Sequence, residues 1–253
     1  RNIIMRKGVV HYRYAKSLKG PWIKPANDIF DGIAFYAGKT MSNGKERYLA
    51  GWCPTRIGDG DPDQWGGSLV CHHMLFNADG TIDLKLPDGI DKKFTTLKKT
   101  VLIDKSGKAV KKENSYVLSD VASVSFPRLD KTCKIEATVK ATGDEDVFGF
   151  AFGACDDKTE VYSIRFDLKS KKMIMSKDDL TRGTTPAQTD VTLAVPADKQ
   201  FKVKIVAEKS VCVMYVNDKI AFSNRIDKMP KNPWAIFTDK GTEISFSDIK
   251  VYE

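Results

Sequence analysis

Apolar and polar residues alternate along most of the chain with a period of two, the repeat of a β-strand that buries one face. In the segment Phe201–Val206, for example, lysines separate phenylalanine, valine and isoleucine. No stretch of about a dozen residues carries the apolar stripe of an amphipathic helix. The sequence therefore predicts an all-β protein. The clearest predicted strands are Tyr48–Trp52, Ser68–Leu75, Lys134–Lys140, Val147–Phe152, Val161–Phe166, Phe201–Val206, Val211–Val216 and Ile244–Val251.

Turn-forming pairs separate these strands at short intervals, which is typical of a β-sandwich or a β-propeller. Asn217-Asp218 predicts the tight turn of one hairpin, because both residue types tolerate a positive φ. Pro233–Phe237 and Gly241–Val251 predict a second hairpin that closes the chain. The other turn signals are Asn43-Gly44, Asp79-Gly80, Asp88-Gly89 and Lys240-Gly241.

The chain divides into two regions that differ in their number of predicted strands. Residues 113–253 hold about eleven candidate strands, enough for a two-sheet β-sandwich with a core of its own. Residues 1–90 hold three of the four tryptophans but few strands, enough for one or two blades of a propeller that typically needs four to eight. The lysine-rich stretch 91–112 is interpreted as a linker or crossover. The first region is therefore expected not to bury a complete core by itself.

Composition excludes several classes of function. The 253 residues include 41 Lys+Arg and 33 Asp+Glu, a net charge of +8, but the lysines fall at turns and on the solvent faces of strands. This distribution argues against a phosphate-binding track, so no nucleic-acid partner is expected. No run of 18 apolar residues is present, and no membrane partner is expected. The five cysteines are widely spaced, as in reduced, buried thiols, and they slightly favour a reducing, cytoplasmic location.

Motifs for cofactors and metals are missing. The sequence holds no phosphate-binding loop, dinucleotide fingerprint or Ser–His–Asp order, so no cofactor is expected. The acidic loop Asp59–Asp63 has Gln64 where a calcium loop of the EF-hand type requires glycine, and it is interpreted as a polar turn. Cys71, His72 and His73 follow one another in a strand, where neighbouring side chains point to opposite faces. The two histidines are therefore not expected to share one zinc ion, and no metal is predicted.

A series of short motifs follows in order between Tyr12 and Pro87. Together they resemble glycoside hydrolase family 32, the β-fructosidases that cleave sucrose and fructans. The stretch from Tyr215 to Phe237 resembles the C-terminal sandwich of the same family, more loosely. The motifs are Tyr12–Ser17, Gly20-Pro21-Trp22, Asp31-Gly32, Phe35–Thr40, Arg47–Trp52, Trp65-Gly66-Gly67, Asp79–Thr81 and Leu86-Pro87.

The resemblance implies a five-bladed propeller joined to a β-sandwich, with a sugar pocket at the propeller axis. It implies retaining hydrolysis of a fructosyl bond by two carboxyl groups about 5–5.5 Å apart. In the family, the nucleophile lies in Trp-Met-Asn-Asp-Pro-Asn-Gly, a stabilising aspartate in Arg-Asp-Pro and the acid in Glu-Cys. None of these motifs occurs in this chain, so it matches the part of the family that follows the acid. No catalytic residue is assigned here, and whether the chain alone is an enzyme stays open.

Four residues are candidates for sugar binding. Trp65, in a glycine-rich loop, is expected to stack on a sugar face, with packing inside the blade as the alternative. Phe35 and Tyr36 are neighbours in one strand, so at most one of them lines the pocket. Asp31 either binds sugar hydroxyls or caps a turn with Gly32.

Two departures from the family pattern affect the sugar site. Many relatives have an aspartate directly before Phe-Tyr-Ala, where this chain has Ala34. Many also have Arg-Glu soon after the tryptophan and glycine motif, where this chain has Cys71–Met74. The resemblance therefore does not fix which fructosyl sugar is bound.

The first hypothesis is that the chain is the C-terminal portion of a hydrolase of sucrose or fructan. It would supply part of the pocket wall and an accessory sandwich, and the catalytic carboxylates would lie on an N-terminal propeller segment or a second chain. One alternative is a non-catalytic module that binds carbohydrate. Another is a structural sandwich that shields one edge of a propeller.

Overall fold

The computed structural model describes residues 8–55, 64–129, 132–153, 161–178, 189–226 and 232–253. These residues form an all-β protein, as the period-two pattern predicts. The one helix among them is α1, the four-residue turn Asp88–Asp91. No helix in the described part of the chain is long and apolar enough to cross a membrane.

Seventeen strands are formed by the described residues. In chain order they are β1 (Tyr36–Ser42), β2 (Arg47–Pro54), β3 (Gly67–Phe76), β4 (Ile82–Lys85), β5 (Leu97–Lys98), β6 (Asp104–Lys112), β7 (Ser115–Phe126), β8 (Cys133–Lys140), β9 (Val147–Phe152), β10 (Val161–Asp167), β11 (Lys172–Asp178), β12 (Thr189–Thr192), β13 (Gln200–Glu208), β14 (Val211–Val216), β15 (Ile220–Arg225), β16 (Trp234–Lys240) and β17 (Ile244–Tyr252).

Strands β1 to β4 form a separate four-stranded antiparallel sheet in the order β1-β2-β3-β4. Asn43-Gly44 makes the turn between β1 and β2, with Gly44 at a φ of 93° and the Asn43 side chain accepting hydrogen bonds from the amides of Lys45 and Glu46. The amide of Gly80 donates to the Asn77 carbonyl in the turn before β4. Short local turns therefore join β1 to β2 and β3 to β4, whereas β2 and β3 are joined by the longer connection 55–66.

The remaining thirteen strands form one sheet that folds over on itself around the main core. Its path runs β12-β11-β10-β9-β16-β7-β17-β8-β13-β14-β15, with β5 paired to β17 and β6 paired to β7. Phenylalanine rings from its two halves meet in the core: Phe148 on β9 lies 5.8 Å from Phe201 on β13 and 6.2 Å from Phe246 on β17. This arrangement is consistent with the β-sandwich predicted for residues 113–253.

The predicted closing hairpin is wrong. Strands β16 and β17 do not pair with each other, because both pair with β7. The second half of β7 pairs with β16 and its first half pairs with β17, and the two halves meet at Asp120, whose φ is 53°. The Asp120 amide donates to the carbonyl of Gly241, between β16 and β17. The bend in β7 therefore separates two strands that are adjacent in sequence.

The other predicted hairpin is confirmed. Strands β14 and β15 pair from Val211 with Arg225 to Val216 with Ile220. Asn217 and Asp218 have φ values of 54° and 52°, as a tight turn with two left-handed residues requires.

Part of the predicted linker 91–112 is strand. Strand β6 pairs with β7, and β5 pairs with β17. Asp91 accepts hydrogen bonds from Lys134, on β8, and from Lys204, on β13, at 2.8 Å for the latter. The stretch between the two predicted regions is therefore fastened to the large sheet by pairing and by charge.

The four-stranded sheet shares a core with the large sheet. Leu49, Val70 and Leu84 lie in one buried cluster with Val213 and Tyr215, from β14. This agrees with the expectation that the first region does not bury a complete core by itself. Of the described cysteines, Cys53, Cys133 and Cys212 are buried, as the sequence predicts, and Cys71 is partly exposed.

Candidate functional site

Strand register assigns the side chains of the four-stranded sheet to two faces. The inner face, with Leu49, Val70 and Met74, packs towards β14 and β15. Side chains alternate along a strand, and directly paired residues share a face. The opposite face, called the outer face here, consists of Tyr36, Lys39, Met41, Tyr48, Ala50, Trp52, Leu69, Cys71, His73, Leu75, Asp83 and Lys85. Most of these side chains are apolar or aromatic, and only Lys39, Asp83 and Lys85 carry charge, which is unusual for a surface that faces water.

Tyr36, Trp52 and Trp65 form an aromatic patch at one end of the outer face. The Tyr36 ring lies 5.2 Å from the Trp52 ring and 6.3 Å from the Trp65 ring, both edge to face. Trp65 is 73% exposed and Tyr36 is partly exposed. Rings of this kind present flat apolar surfaces, which suit the apolar face of a sugar.

The loop that carries Trp65 is held by its own glycines and by an arginine of the large sheet. Gly66 has a φ of 82°, and a Cβ on Gly67 would lie 2.0 Å from the Cys53 carbonyl oxygen. Gly67 therefore allows a close approach of the two backbones. Arg225, on β15, donates to the Cys53 carbonyl at 2.8 Å, to the Pro54 carbonyl and to the Ser68 hydroxyl at 3.1 Å. These contacts fix both ends of the loop.

Phe35 and Tyr36 point to opposite faces of the sheet, as the alternation predicts. Phe35 is fully buried in the shared core, whereas Tyr36 belongs to the aromatic patch. A Cβ on Gly51 would lie 2.6 Å from Phe35 Cζ, so the absence of a side chain at Gly51 makes room for this ring. Phe35 therefore acts as packing beneath the strand that presents Tyr36.

Asp31 lies at the junction between the two sheets. It is 1% exposed, and its Oδ1 accepts hydrogen bonds from the amides of Gly32 at 2.6 Å and Ser223 at 2.8 Å. Its Oδ2 contacts the Ser223 hydroxyl at 2.6 Å and His72 Nε2 at 3.1 Å. The turn-capping alternative is thus seen in the bond from Gly32. In this structure both carboxylate oxygens are used inside the protein.

His72 extends this network across the junction. His72 Nδ1 lies 3.0 Å from the Tyr215 hydroxyl, and the ring is fully buried. With Nε2 donating to Asp31, Nδ1 is left as the acceptor for Tyr215. Burial, together with the nearby charge of Asp31, raises the pKa of Tyr215 well above its ordinary value. His72 is therefore the histidine that faces the core.

Some participants were not apparent from the sequence. Trp52 joins the aromatic patch because β1 and β2 pair Tyr36 with Trp52, a register that the Asn43-Gly44 turn indicates but does not fix. Ser223 and Tyr215 lie far along the chain from Asp31, and no local pattern connects them. The acidic loop Asp59–Asp63 lies outside the described residues.

Solved structures share this fold. A fructosyltransferase from A. japonicus superposes with a TM-score of 0.63 at 13% identity, covering 97% of this chain and 49% of that protein. An exo-inulinase from Aspergillus awamori gives a TM-score of 0.66 at 15% identity, covering 96% and 49%. A sucrose-6-phosphate hydrolase from Lactobacillus gasseri gives 0.53 at 13% identity, covering 87% and 41%. The chain spans about half the length of these proteins.

Sequence comparison gives the family directly. No curated protein sequence matches the chain. A family model described as the C-terminal domain of BT1760-like GH32 proteins matches residues 80–251, which is more than half of the chain. The resemblance noted in the sequence is thereby confirmed, and the chain belongs to glycoside hydrolase family 32, in which residues 80–251 correspond to the BT1760-like C-terminal domain.

Proposed function

We propose that this chain is the C-terminal portion of a retaining hydrolase that acts on fructosyl bonds of sucrose or fructan. The four-stranded sheet is one blade of a five-bladed propeller, and the large sheet is its accessory sandwich. Family membership supports the class of reaction. The chain's coverage of about half of each fructosyl-processing structure supports its place in a longer assembly.

The outer face carries the proposal. Leu69 is 78% exposed and Met41 is 52% exposed, although the register places both among the apolar residues of a regular sheet. The inner face of the same sheet is covered by the sandwich, so the two faces differ in what lies against them. In a propeller each blade packs against its neighbours, and this packing buries the blade faces. A neighbouring blade on the outer face would remove Leu69 and Met41 from water.

The catalytic carboxylates belong to other polypeptide in this proposal. The family's three acidic motifs are absent from the sequence, so the nucleophile and the acid would lie on an N-terminal propeller segment or on a second chain. This chain would contribute Trp65 and Tyr36 to the pocket wall. Phe35 would support that wall by packing in the shared core, and Asp31 would support it through its hydrogen bond with Ser223.

The alternative of a stand-alone carbohydrate-binding module has less support. The matching family model describes the C-terminal domain of a hydrolase, and the aromatic patch lies on the four-stranded sheet rather than on the sandwich.

Fructose release tests the proposal. The chain alone, and the chain assembled with polypeptide that supplies the three acidic motifs, would be assayed on sucrose and inulin. We expect release by the assembly alone. Full activity of the chain alone, or an assembled protein that cleaves neither sugar, would refute the proposal.

A tryptophan pair tests the pocket wall in the same assembly. Trp65→Ala should weaken substrate binding by about 10-fold or more, because burial of a large apolar side chain is worth roughly 1.5–3 kcal/mol. Trp22→Ala is the matched control, since Trp22 is also exposed but lies outside the aromatic patch. Equal KM values for the two variants would show that Trp65 does not line the pocket.

A further inference from the structure

A second cluster of polar side chains lies at the other end of the outer face. It consists of Glu46 in the turn between β1 and β2, His73 on β3, and Asp88 at the start of α1. One ligand atom from each residue lies within 4.8 Å of the others. We propose that these three residues form a binding site for a divalent transition metal, with Zn²⁺ as the fitting ion. The proposal is independent of sugar hydrolysis.

His73 points to the outer face, opposite to His72, and lacks the partners that His72 has. The residue is 7% exposed, and its Nδ1 is buried with no hydrogen-bond partner among the described residues. Its Nε2 lies 3.9 Å from Glu46 Oε1, too far for a hydrogen bond. Metal bonds of about 2.0–2.2 Å on each side would bridge this gap after a small side-chain adjustment. Nε2 is thus the ring nitrogen placed towards Glu46, and no hydrogen bond among the described residues would compete for it.

Glu46 is oriented by neighbours that occupy its other oxygen. Glu46 Oε2 accepts hydrogen bonds from the Tyr48 hydroxyl at 2.5 Å and from Asn43 Nδ2 at 3.3 Å. These bonds hold Oε2, so that Oε1 is directed at His73. Outer hydrogen bonds of this kind commonly fix metal-binding carboxylates.

Asp88 supplies the third ligand and has a competing cation. Lys85 Nζ donates to Asp88 Oδ1 at 2.7 Å, which leaves Oδ2 of the carboxylate for a metal. Because Lys85 brings a positive charge to the cluster, it should weaken metal binding.

The donor set indicates the type of metal. Calcium and magnesium prefer oxygen ligands alone, whereas imidazole nitrogen suits zinc and its neighbours. One nitrogen and two carboxylates give three protein ligands, and a tetrahedral ion would keep one open position. The sequence predicted no metal because it treated His72 and His73 as candidates for one shared ion. The fold instead brings His73 to two acidic residues from other elements.

Calorimetric titration of the chain with Zn²⁺ tests the site. We expect one ion per chain, with affinity reduced at least 10-fold in both Glu46→Gln and Asp88→Asn, which keep the side-chain shape. Lys85→Met should bind Zn²⁺ more tightly. The matched controls are Glu113→Gln, in an exposed turn, and His11→Gln, which removes a histidine paired with a single carboxylate. Both should bind as the unsubstituted chain does.

The visible absorption of bound Co²⁺ gives a second readout. We expect the chain to show a Co²⁺ band that Zn²⁺ displaces and that His73→Gln loses. Circular dichroism should show the Glu46→Gln and Asp88→Asn variants to be folded. Absence of binding at millimolar Zn²⁺, or unchanged affinity in both carboxylate variants, would overturn the proposal. Loss of binding in His11→Gln would overturn it as well.

Discussion

The position of Tyr36 on the candidate site depends on a residue that has no side chain. Phe35 crosses beneath the sheet where β2 has Gly51, and a Cβ there would also lie 2.7 Å from the Tyr36 carbonyl oxygen. The pattern of a buried phenylalanine next to a tyrosine was readable from alternation. The close approach of Phe35 to Gly51 could not be predicted, because it depends on how β1 pairs with β2.

Gly51→Ala should therefore destabilise the protein. The added methyl group would contact both Phe35 and the Tyr36 backbone, and overpacking of this kind costs about 1–3 kcal/mol. The free energy of unfolding, from urea titration, measures the effect. Gly89→Ala is the matched control, since no atom lies within 4 Å of a Cβ at Gly89. Equal stability of the two variants would show that Phe35 is not tightly packed against β2.

Only the local contact of Asp31 could be predicted from the sequence. Turn capping with Gly32 is local and was one of the two alternatives. Its contacts with Ser223 and His72 depend on the packing of β15 and β3, which no local pattern encodes.

Ser223→Ala should weaken the junction between the two sheets. The buried carboxylate of Asp31 would lose a hydroxyl donor at 2.6 Å while keeping His72, and a hydrogen bond to a carboxylate is worth about 1.5–3 kcal/mol. Urea titration of Ser119→Ala, a β7 serine that is only partly buried, provides the comparison. A Ser223→Ala loss no greater than that of Ser119→Ala would contradict this account of the junction.

At the scale of elements, local pairings were predictable and distant ones were not. The β14–β15 hairpin follows from Asn217-Asp218, which adopts the left-handed turn by itself. Strands β16 and β17 have equally good local signals, yet β7 separates them through its bend at Asp120. Strand β6 was read as linker because only Ala109 is buried in it, so its sequence carries no alternating core pattern.

One carboxylate connects two loops of the large sheet with the end of β16. Glu145, between β8 and β9, contacts Lys169 and Lys240 at 2.8 Å each. Hydrogen bonds and charge from these two lysines lower the pKa of Glu145 to about 2. The ordinary value is 4.5, so the folded protein binds this proton less readily than the unfolded chain does.

This contact should make the free energy of unfolding depend on pH in the acidic range. Its contribution is present above pH 4.5 and should be lost as the pH falls from there towards about 2. The urea midpoint of Glu145→Gln should therefore fall less over this range than that of the unsubstituted protein. Glu113→Gln, which removes a carboxylate from an exposed turn, should follow the unsubstituted protein. Parallel pH profiles for all three proteins would show that Glu145 does not couple the two loops and the end of β16.

At the scale of the whole molecule, the two faces of the four-stranded sheet are unequal. The sandwich covers the inner face, whereas the outer face leaves Leu69 and Met41 in water. From the small number of strands in residues 1–90, the sequence predicted only that this region does not bury a complete core by itself. It did not predict that the sandwich would complete the core on one side, because that contact joins β14 to strands more than 100 residues earlier.

Cysteine labelling provides the most direct test of the outer face. Cys71 lies on that face as a partly exposed free thiol, whereas Cys212 is buried and serves as the internal reference. Alkylation would be followed by mass spectrometry in the chain alone and in its assembly with polypeptide that supplies the three acidic motifs. Alkaline conditions are needed, because burial raises the pKa of Cys71. We predict that Cys71 reacts in the chain alone and is protected in the assembly, whereas equal labelling of Cys71 in both would contradict a neighbouring blade on this face.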